Sequence, residues 1–404
     1  MSKNTMTPKL RFPEFREEWD LKNLGDVAVL INEKAGGKSY KLMSITAGVG
    51  LVSQIEKFGR EIAGESYKNY YVIEKGDFAY NKSSTKQYPE GQIAILENEE
   101  IAAVPNSIFT CFRVDNKLVS PYFLKYPFDN NIHGNWLRKF IEVGARAHGA
   151  LSVDTKDLFA TPIYFPSLPE QQKIAATLSS LDDLIAAQSQ KIKALQTHKK
   201  GLMQLLFPAE GERTPRVRFG EFEDSGEWED KNISEIAEVT TGNKDTQNKM
   251  ENGLYPFFVR SQTVERINSF SYEGEAILTS GDGVGVGKNF HYINGKFDFH
   301  QRVYCIFNFK NSVFGKFVFY YFSEHFNKRV MQLTAKNSVD SVRMPMITEM
   351  PTYLPSNKEQ QKIAATLSSL DDLITTQTQK LEALKMHKKG LMQQLFPNPN
   401  HETL

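Results

Sequence analysis

The chain has 404 residues, enough for two to three domains, and its 40% apolar content suits ordinary globular cores. With 49 basic against 48 acidic residues the net charge is +1, so bulk charge neither announces a polyanionic partner nor excludes a local basic face. No apolar run approaches the ~18 residues of a membrane span, and the polar start MSKNTMTPK carries no export signal, so a cytoplasmic protein with no membrane partner is expected.

Residues 1–166 read as a first mixed α/β domain of strands with a few helices, from β-branched and aromatic runs punctuated by glycine. The domain opens on PKLRFPEFREEWDLKNLGDVA (residues 8–28), and a Gly-Asp step leads into the apolar strand Phe78-Ala79-Tyr80. Cys111 then sits in the strand-like run SIFTCFRV, followed by an aromatic, helix-like stretch at 122–126. Residues 167–208 form a long helix whose apolar positions Ile174, Leu178, Leu181, Ile185, Ile192, Leu195, Leu202 and Leu206 step by fours and threes, with Gln188 and Lys199 filling the gaps.

Residues 209–355 repeat the order of the first domain. PRVRFGEFEDSGEWEDKNISEIA at 215–237 parallels the opening of the chain and sets Trp228 against Trp19. A Gly-Glu step leads into Ala276-Ile277-Leu278, Cys305 lies in RVYCIFNF, and 317–322 is again aromatic and helix-like. Residues 356–397 are a second long helix, with Ile363, Leu367, Leu370, Ile374, Gln377, Leu381, Leu384, Lys388, Leu391 and Leu395 in the same heptad, and 398–404 form a tail. Residues 170–208 recur 189 positions later at 359–397 with 31 of 39 identical, whereas the domains before them have diverged. The chain is therefore a tandem duplication that holds its helices constant and varies what each helix follows.

Neither heptad seam can be buried alone, so each copy is the natural partner of the other. A buried pair of Gln188 and Gln377 would penalise slipped registers, but parallel and antiparallel packing both bring the two together. The seam residues expected to pair or to dock partners are Ile174, Leu178, Leu181, Ile185, Gln188, Leu195, Leu202, Ile363, Leu367, Leu370, Ile374, Gln377, Leu384 and Leu391.

Chemistry-bearing motifs are sparse. The run Gly281-Asp282-Gly283-Val284-Gly285-Val286-Gly287-Lys288 fails as a phosphate loop at Asp282 and at Asn289, and reads as a Gly-rich hairpin. The eight histidines form no metal-binding pattern, and neither cysteine has a CxxC or histidine neighbour, so no catalytic residue, metal or cofactor is assigned to the chain. His198 and His387 share one repeat position and are expected to be solvated or at an interface.

The repeats resemble the conserved region of type I restriction–modification specificity subunits. The resemblance lies in a proline followed by Glu170-Gln171-Gln172-Lys173-Ile174-Ala175, then Leu-x2-Leu-Asp-Asp-Leu-Ile, His-Lys-Lys-Gly-Leu-Met-Gln and Leu-Phe-Pro, all present twice. The second copy departs from it by inserting Ser356-Asn357-Lys358 between Pro355 and Glu359. The resemblance implies an α+β chain of two target-recognition domains, each followed by a long helix, the helices pairing as an antiparallel coiled coil. It implies a non-catalytic subunit whose two domains each read one half of a bipartite site on double-stranded DNA. The helices would set the gap and dock two methyltransferase subunits, which restriction/translocase subunits then join. S-adenosylmethionine, ATP and Mg²⁺ would belong to those partners. Two other readings are a fused enzyme with its own catalytic domain, which the missing methyl-transfer motifs disfavour, and a pure coiled-coil scaffold.

Sequence-specific readout needs side chains that reach base edges and cations on phosphates. In the first domain the polar loop residues Lys82, Ser83, Ser84, Thr85 and Lys86, and Arg146 and His148 beside glycines, are the DNA-contact candidates. In the second they are Arg260, Gln262, Thr279, Ser280, Lys288, Asn289, Lys336 and Asn337, within a stretch (240–343) that carries 13 basic against 9 acidic residues.

Overall fold

The structure, a computed structural model, describes residues 5–141, 149–333 and 341–397. Its contacts fall into two units, Met1–Ala187 with Leu381–Leu404, and Gln188–Lys380. Each unit takes one part of the first repeat helix and one part of the second.

In the first unit four antiparallel strands lie in the order Ala28–Leu30, Phe109–Val114, Phe78–Asn81, Gln92–Ile95. Alternation decides which face each residue meets. Phe78, Tyr80, Phe112 and Val114 join a core with Phe123, Leu124 and Phe128 of helix α1 (Pro121–Asp129). Ala79, Phe109 and Cys111 point the other way, into a second cluster with Ile45, Ile73 and Val104. Burial on both faces explains why these strands read as unbroken apolar runs. Pro121 occupies the first turn of α1, where its missing N–H costs no helical bond.

In the second unit the same four-strand order recurs as Glu238–Thr241, Val303–Phe307, Tyr272–Ser280, Phe290–Phe299. Two further strands, Tyr255–Phe258 and Glu265–Ile267, extend this sheet, the first of them pairing in parallel with Phe290–Phe299. Ile277 and Ile306 pack with Phe317, Val318 and Phe322 in a core that helix α3 (Gly315–Leu333) supplies, while Leu278 and Cys305 face Phe258 and Phe297. Both cysteines are free and buried on equivalent strands. The duplication legible in sequence is thus a duplication of sheet topology.

In each unit the strand just before the long helix returns to pair with the start of its own domain. Pro162–Phe165 runs antiparallel to Trp19–Asn23, and Pro351–Leu354 to Glu229–Asn232. The long helices follow as α2 (Leu168–Leu206) and α4 (Asn357–Leu395), each of 39 residues, which at 1.5 Å per residue is ~58 Å of rod. The Phe-Pro pairs at 207–208 and 396–397 come directly after the last turns, where proline cannot continue a helix.

The polarity that the heptads leave open is settled by contacts inside each unit. In the second, Gln188 donates its amide to both the side-chain and main-chain oxygens of Gln377 at 2.9 Å, and Lys199 reaches Asp371 at 2.5 Å. In the first, Lys388 pairs with Asp182, and Leu391 and Leu395 share a cluster with Ile174 and Leu178. Rising numbers on one helix meet falling numbers on the other in both cases, so the helices pair antiparallel. Lys199 and Lys388 therefore do more than fill gaps in a seam: each forms an ion pair with an aspartate of the facing helix.

Burial along the seam is uneven. Ile174, Leu178, Leu181, Ile192, Ile363, Leu367 and Gln188 are buried, the helix ends among them packing into the domain cores. Ile185, Leu195, Leu202, Leu370, Ile374, Gln377, Leu384 and Leu391 are half-buried, as a two-helix coil covers only one side of each rod. His198 and His387 are exposed.

Candidate nucleic-acid interface

The repeated Glu-Gln at the start of each long helix fixes each domain to its helix. Arg11 donates from Nε and Nη2 to the Glu170 carboxylate at 2.8 and 2.7 Å, and Arg218 does the same to Glu359 at 2.9 and 2.6 Å. Both glutamates are buried, and a carboxylate out of water is tolerable only when paired and hydrogen-bonded in this way. Gln171 and Gln360 are also buried. Gln171 accepts from the Ser120 N–H and donates to the carbonyls of Leu118 and Pro166. Gln360 likewise accepts from the Phe314 N–H and donates to Ser312 and Pro355. Both amides satisfy backbone groups that would otherwise be stranded at the loop entering α1 or α3.

A second repeated anchor lies about three turns further on. Tyr126 of α1 donates to Asp182 at 3.2 Å, and Lys388 pairs with the same aspartate. Tyr320 of α3 donates to Asp371 at 2.7 Å, and Lys199 pairs with it. Burial and the aspartate push both tyrosine hydroxyls well above their ordinary pKa, so they remain donors. Beside the first of these triads a polar cavity of 340 Å³ opens, with Gln92, Lys125, Asp129, Asp182 and Lys388 in its walls. Its lysines are already paired, Lys125 with Glu97 and Lys388 with Asp182.

In the first unit the loop from Lys82 to Lys86 leaves the strand Phe78–Asn81. Its backbone is pinned by the Lys82 N–H to the Ile108 carbonyl, the Ser84 N–H to the Gly149 carbonyl and the Leu151 N–H to the Lys82 carbonyl. Thr85 closes the turn, its N–H reaching the Tyr88 carbonyl and its hydroxyl accepting from the Tyr88 N–H. Ser84, Thr85 and Lys86 are exposed, and Lys82 and Ser83 half-buried. Arg138, 65% exposed along its side chain, pairs with the nearby buried Glu90, an exposed cation that loop composition alone does not point to. Arg146 and His148 lie outside the described residues, as do Lys336 and Asn337.

In the second unit three separate stretches converge around the Gly-rich hairpin. Arg260 and Arg302 each donate one nitrogen to Asp282, at 2.8 and 3.0 Å. Gln262 donates to the Lys288 carbonyl, His291 meets the Ser261 carbonyl, and Asn327 donates to the Gly287 carbonyl. Asn289 donates to the Arg260 carbonyl and the Ser280 hydroxyl. The backbone of Val342 bonds to Gly281, drawing the segment after residue 341 to the same edge.

This packing corrects three expectations. Thr279 and Ser280 are 1% exposed and Asn289 8% exposed. The first two complete a buried strand and the third pins the hairpin from within, so none of their side chains faces solvent. Arg260, Gln262 and Lys288 are exposed. Arg302 was missed because it lies 20 residues from Asp282; its position just past the His300 turn, before a strand, was the available signal. The Gly-rich run is the hairpin between the strands Tyr272–Ser280 and Phe290–Phe299. Among the described residues no group of histidine, cysteine, aspartate and glutamate could hold a metal ion, and no helix is long and apolar enough to cross a membrane.

Each half of the chain matches the type I restriction modification DNA specificity domain, over residues 16–197 and 225–386. The MjaVIII specificity subunit of a type I restriction enzyme from Methanocaldococcus jannaschii is 25% identical over 427 residues, spanning 96% of this chain and 93% of the relative. A putative MjaX specificity subunit from the same organism is 24% identical over 417 residues, spanning 96% and 95%. Among solved structures, the type I restriction-modification S subunit of M. genitalium superposes with a TM-score of 0.63 at 14% identity, covering 97% of this chain and all of the other. A chain from a study of assembly and conformational transition in the type I system gives 0.54 at 16% identity, covering 96% and 99%. The matched domains take in most of the sequence, and the chain belongs to the type I restriction modification DNA specificity family.

Proposed function

We propose that this chain is the sequence-reading subunit of a type I restriction–modification complex, each unit reading one half of a bipartite site on double-stranded DNA. The chain does no chemistry itself. Two methyltransferase subunits dock on it and supply S-adenosylmethionine, and restriction/translocase subunits bring ATP and Mg²⁺. It works in the cytoplasm, where its DNA is. The paired helices set the number of base pairs between the half-sites.

One observation carries this reading: the internal repeat is identical at positions that its own packing does not require. Asp183 and Asp372, Leu184 and Leu373, and Lys200 and Lys389 are exposed equivalents. Leu184 and Leu373 are 56% and 39% exposed, both off the seam that pairs the helices. Two matching surfaces serve two copies of one partner, whereas the loops at Lys82 and Asp282, which follow equivalent strands, differ in sequence. The domains 1–166 and 209–355 are the readers in this account, and helices 167–208 and 356–397 are the frame.

The test is to express the chain with its modification subunits and map methylated adenines genome-wide. A bipartite motif with a fixed gap is expected. Inserting seven residues into α2 should then abolish methylation or change the gap, and an unchanged motif with an unchanged gap would refute the spacing role.

A further inference from the structure

The Arg260–Asp282–Arg302 cluster has features that stability does not explain. Asp282 is 17% exposed along its side chain, while Arg260 and Arg302 are 46% and 63% exposed. Ion pairs this open to water add little to folding. Yet the three residues come from three separate segments, and the hairpin that carries Asp282 is held by side chains from several others. Asn289, Gln262 and Asn327 all bond to backbone carbonyls of the hairpin or of the segment beside it. At the tip of this braced hairpin Val284 stands 97% exposed. A single exposed valine is ordinary on a protein surface, so the case for a partner at this edge rests on the braced arginine pair beside it.

The hydrogen bonding of the arginines points to what that partner presents. Each guanidinium uses Nη1 on Asp282. Among the described residues, no protein acceptor is recorded for Nε or Nη2 of either side chain, so each keeps one two-nitrogen edge free. Two parallel N–H donors match the O6 and N7 acceptors of guanine in the major groove. A guanidinium already fixed by a carboxylate loses less rotamer freedom on binding than a free one. Arg302 and Arg260 also flank His300, whose imidazole burial and the neighbouring arginines keep below its ordinary pKa, so the cluster gains no competing charge there.

We propose that Asp282 holds Arg260 and Arg302 as a pre-set pair that reads guanine in the half-site of the second unit, with Val284 against the adjoining base edge. This rests on the reading of the chain as a DNA-specificity subunit. Asp282 is a positioning residue, and the arginines are the specificity-determining ones. Phosphate contact is the competing role for two exposed arginines, and it predicts a different outcome.

The experiment uses the full chain in complex with its modification subunits, on DNA carrying the mapped site and every single-base change in the half-site read by the second unit. Arg302→Ala and Arg260→Ala should each lose roughly 5- to 150-fold of discrimination at one or two guanine positions, the range a bidentate arginine–base pair supplies, with binding to sites already changed there left nearly as it was. Asp282→Asn should lose discrimination at those same positions by a smaller factor, while Arg302→Lys should not restore it. A uniform loss over all sequences with a shallower salt dependence would assign the arginines to phosphates and overturn the proposal. Wild-type discrimination in both alanine variants would overturn it as well. If the wild-type complex itself shows no site preference, the DNA-specificity reading fails first.

Discussion

The two units use the same residues to hold their readers and different ones to present them. In the second unit the anchoring triad is closed: Tyr320 lies within a helix of 19 residues and meets both Asp371 and Ser368, at 2.7 and 3.2 Å. In the first, Tyr126 is followed by Pro127 in a helix of nine residues, its bond to Asp182 is 3.2 Å, and a cavity opens beside the triad. The second reader is one six-stranded sheet with a braced hairpin, whereas the first divides its strands among a four-stranded sheet and separate pairs. Duplication thus kept the mount and released the reader. The mount is constrained by buried ionic and amide groups that have no cheap substitute, and the reader only by having a core.

The largest expected effect comes from breaking the mount. Arg218→Met strands the buried Glu359 carboxylate and should cost the second unit about 3–5 kcal/mol. Arg11→Met should cost the first unit less, because the Trp19 indole also donates to Glu170, at 3.4 Å, whereas the buried Trp228 indole nitrogen has no partner among the described residues. Hydrogen exchange resolved by unit would measure both losses, and an equal loss would show that the indole contributes nothing. Replacing Glu359 by Leu together with Arg218→Met should recover most of the stability, since no charge is then left unpaired.

Acid should separate the units next. His133 is fully buried against Gly91, and desolvation pushes its imidazole down to about 4. The unfolded chain therefore binds a proton that the folded one refuses between about 6.5 and 4. Its contribution is fully present above pH 6.5 and is lost as pH falls through that window, up to about 3 kcal/mol at 1.36 kcal/mol per pH unit. Denaturation of the first unit at pH 7 and pH 4.5, in wild type and His133→Gln, would show the slope flatten in the variant. An undiminished slope would shift the acid sensitivity to other groups.

Smaller effects probe the helix pair. Lys199→Met and Lys388→Met each remove a cation from an aspartate that keeps its tyrosine donor, and should cost about 1–3 kcal/mol. The loss is expected to be larger in the first unit, where the remaining Tyr126 bond is the longer one. Leu195→Asp with Leu384→Asp places charge in the half-buried seam and is expected to abolish assembly with the proposed methyltransferase partners, read by size-exclusion chromatography. Smallest of all, Gln188→Leu with Gln377→Leu should change stability by under about 1 kcal/mol, by analogy with buried polar pairs that set register rather than strength. A shifted register would appear as altered cross-links between the helices.

The frame was legible because its signal is periodic and printed twice. Heptad spacing gives a helix, and duplication gives its partner. Polarity was hidden because Gln188 and Gln377 sit near the middle of their helices, where both directions juxtapose them. The roles of Glu170 and Gln171 were hidden for another reason: they are set by Arg11, 159 residues away, and by the Ser120 N–H and the Leu118 carbonyl, 51 and 53 residues away. For the reader, loop composition pointed to the right hairpin but not to the right side chains. Ser280 and Asn289 look as polar as Lys288, and only packing shows that they are buried while Arg260 and Arg302 stay exposed, each held by Asp282.

The most direct test of two readers on one frame is to exchange residues 240–343 for the same stretch of another specificity subunit and map methylated sites with the native modification subunits. One half of the target should change while the other half and the gap stay as they were. A change in both halves would contradict the account.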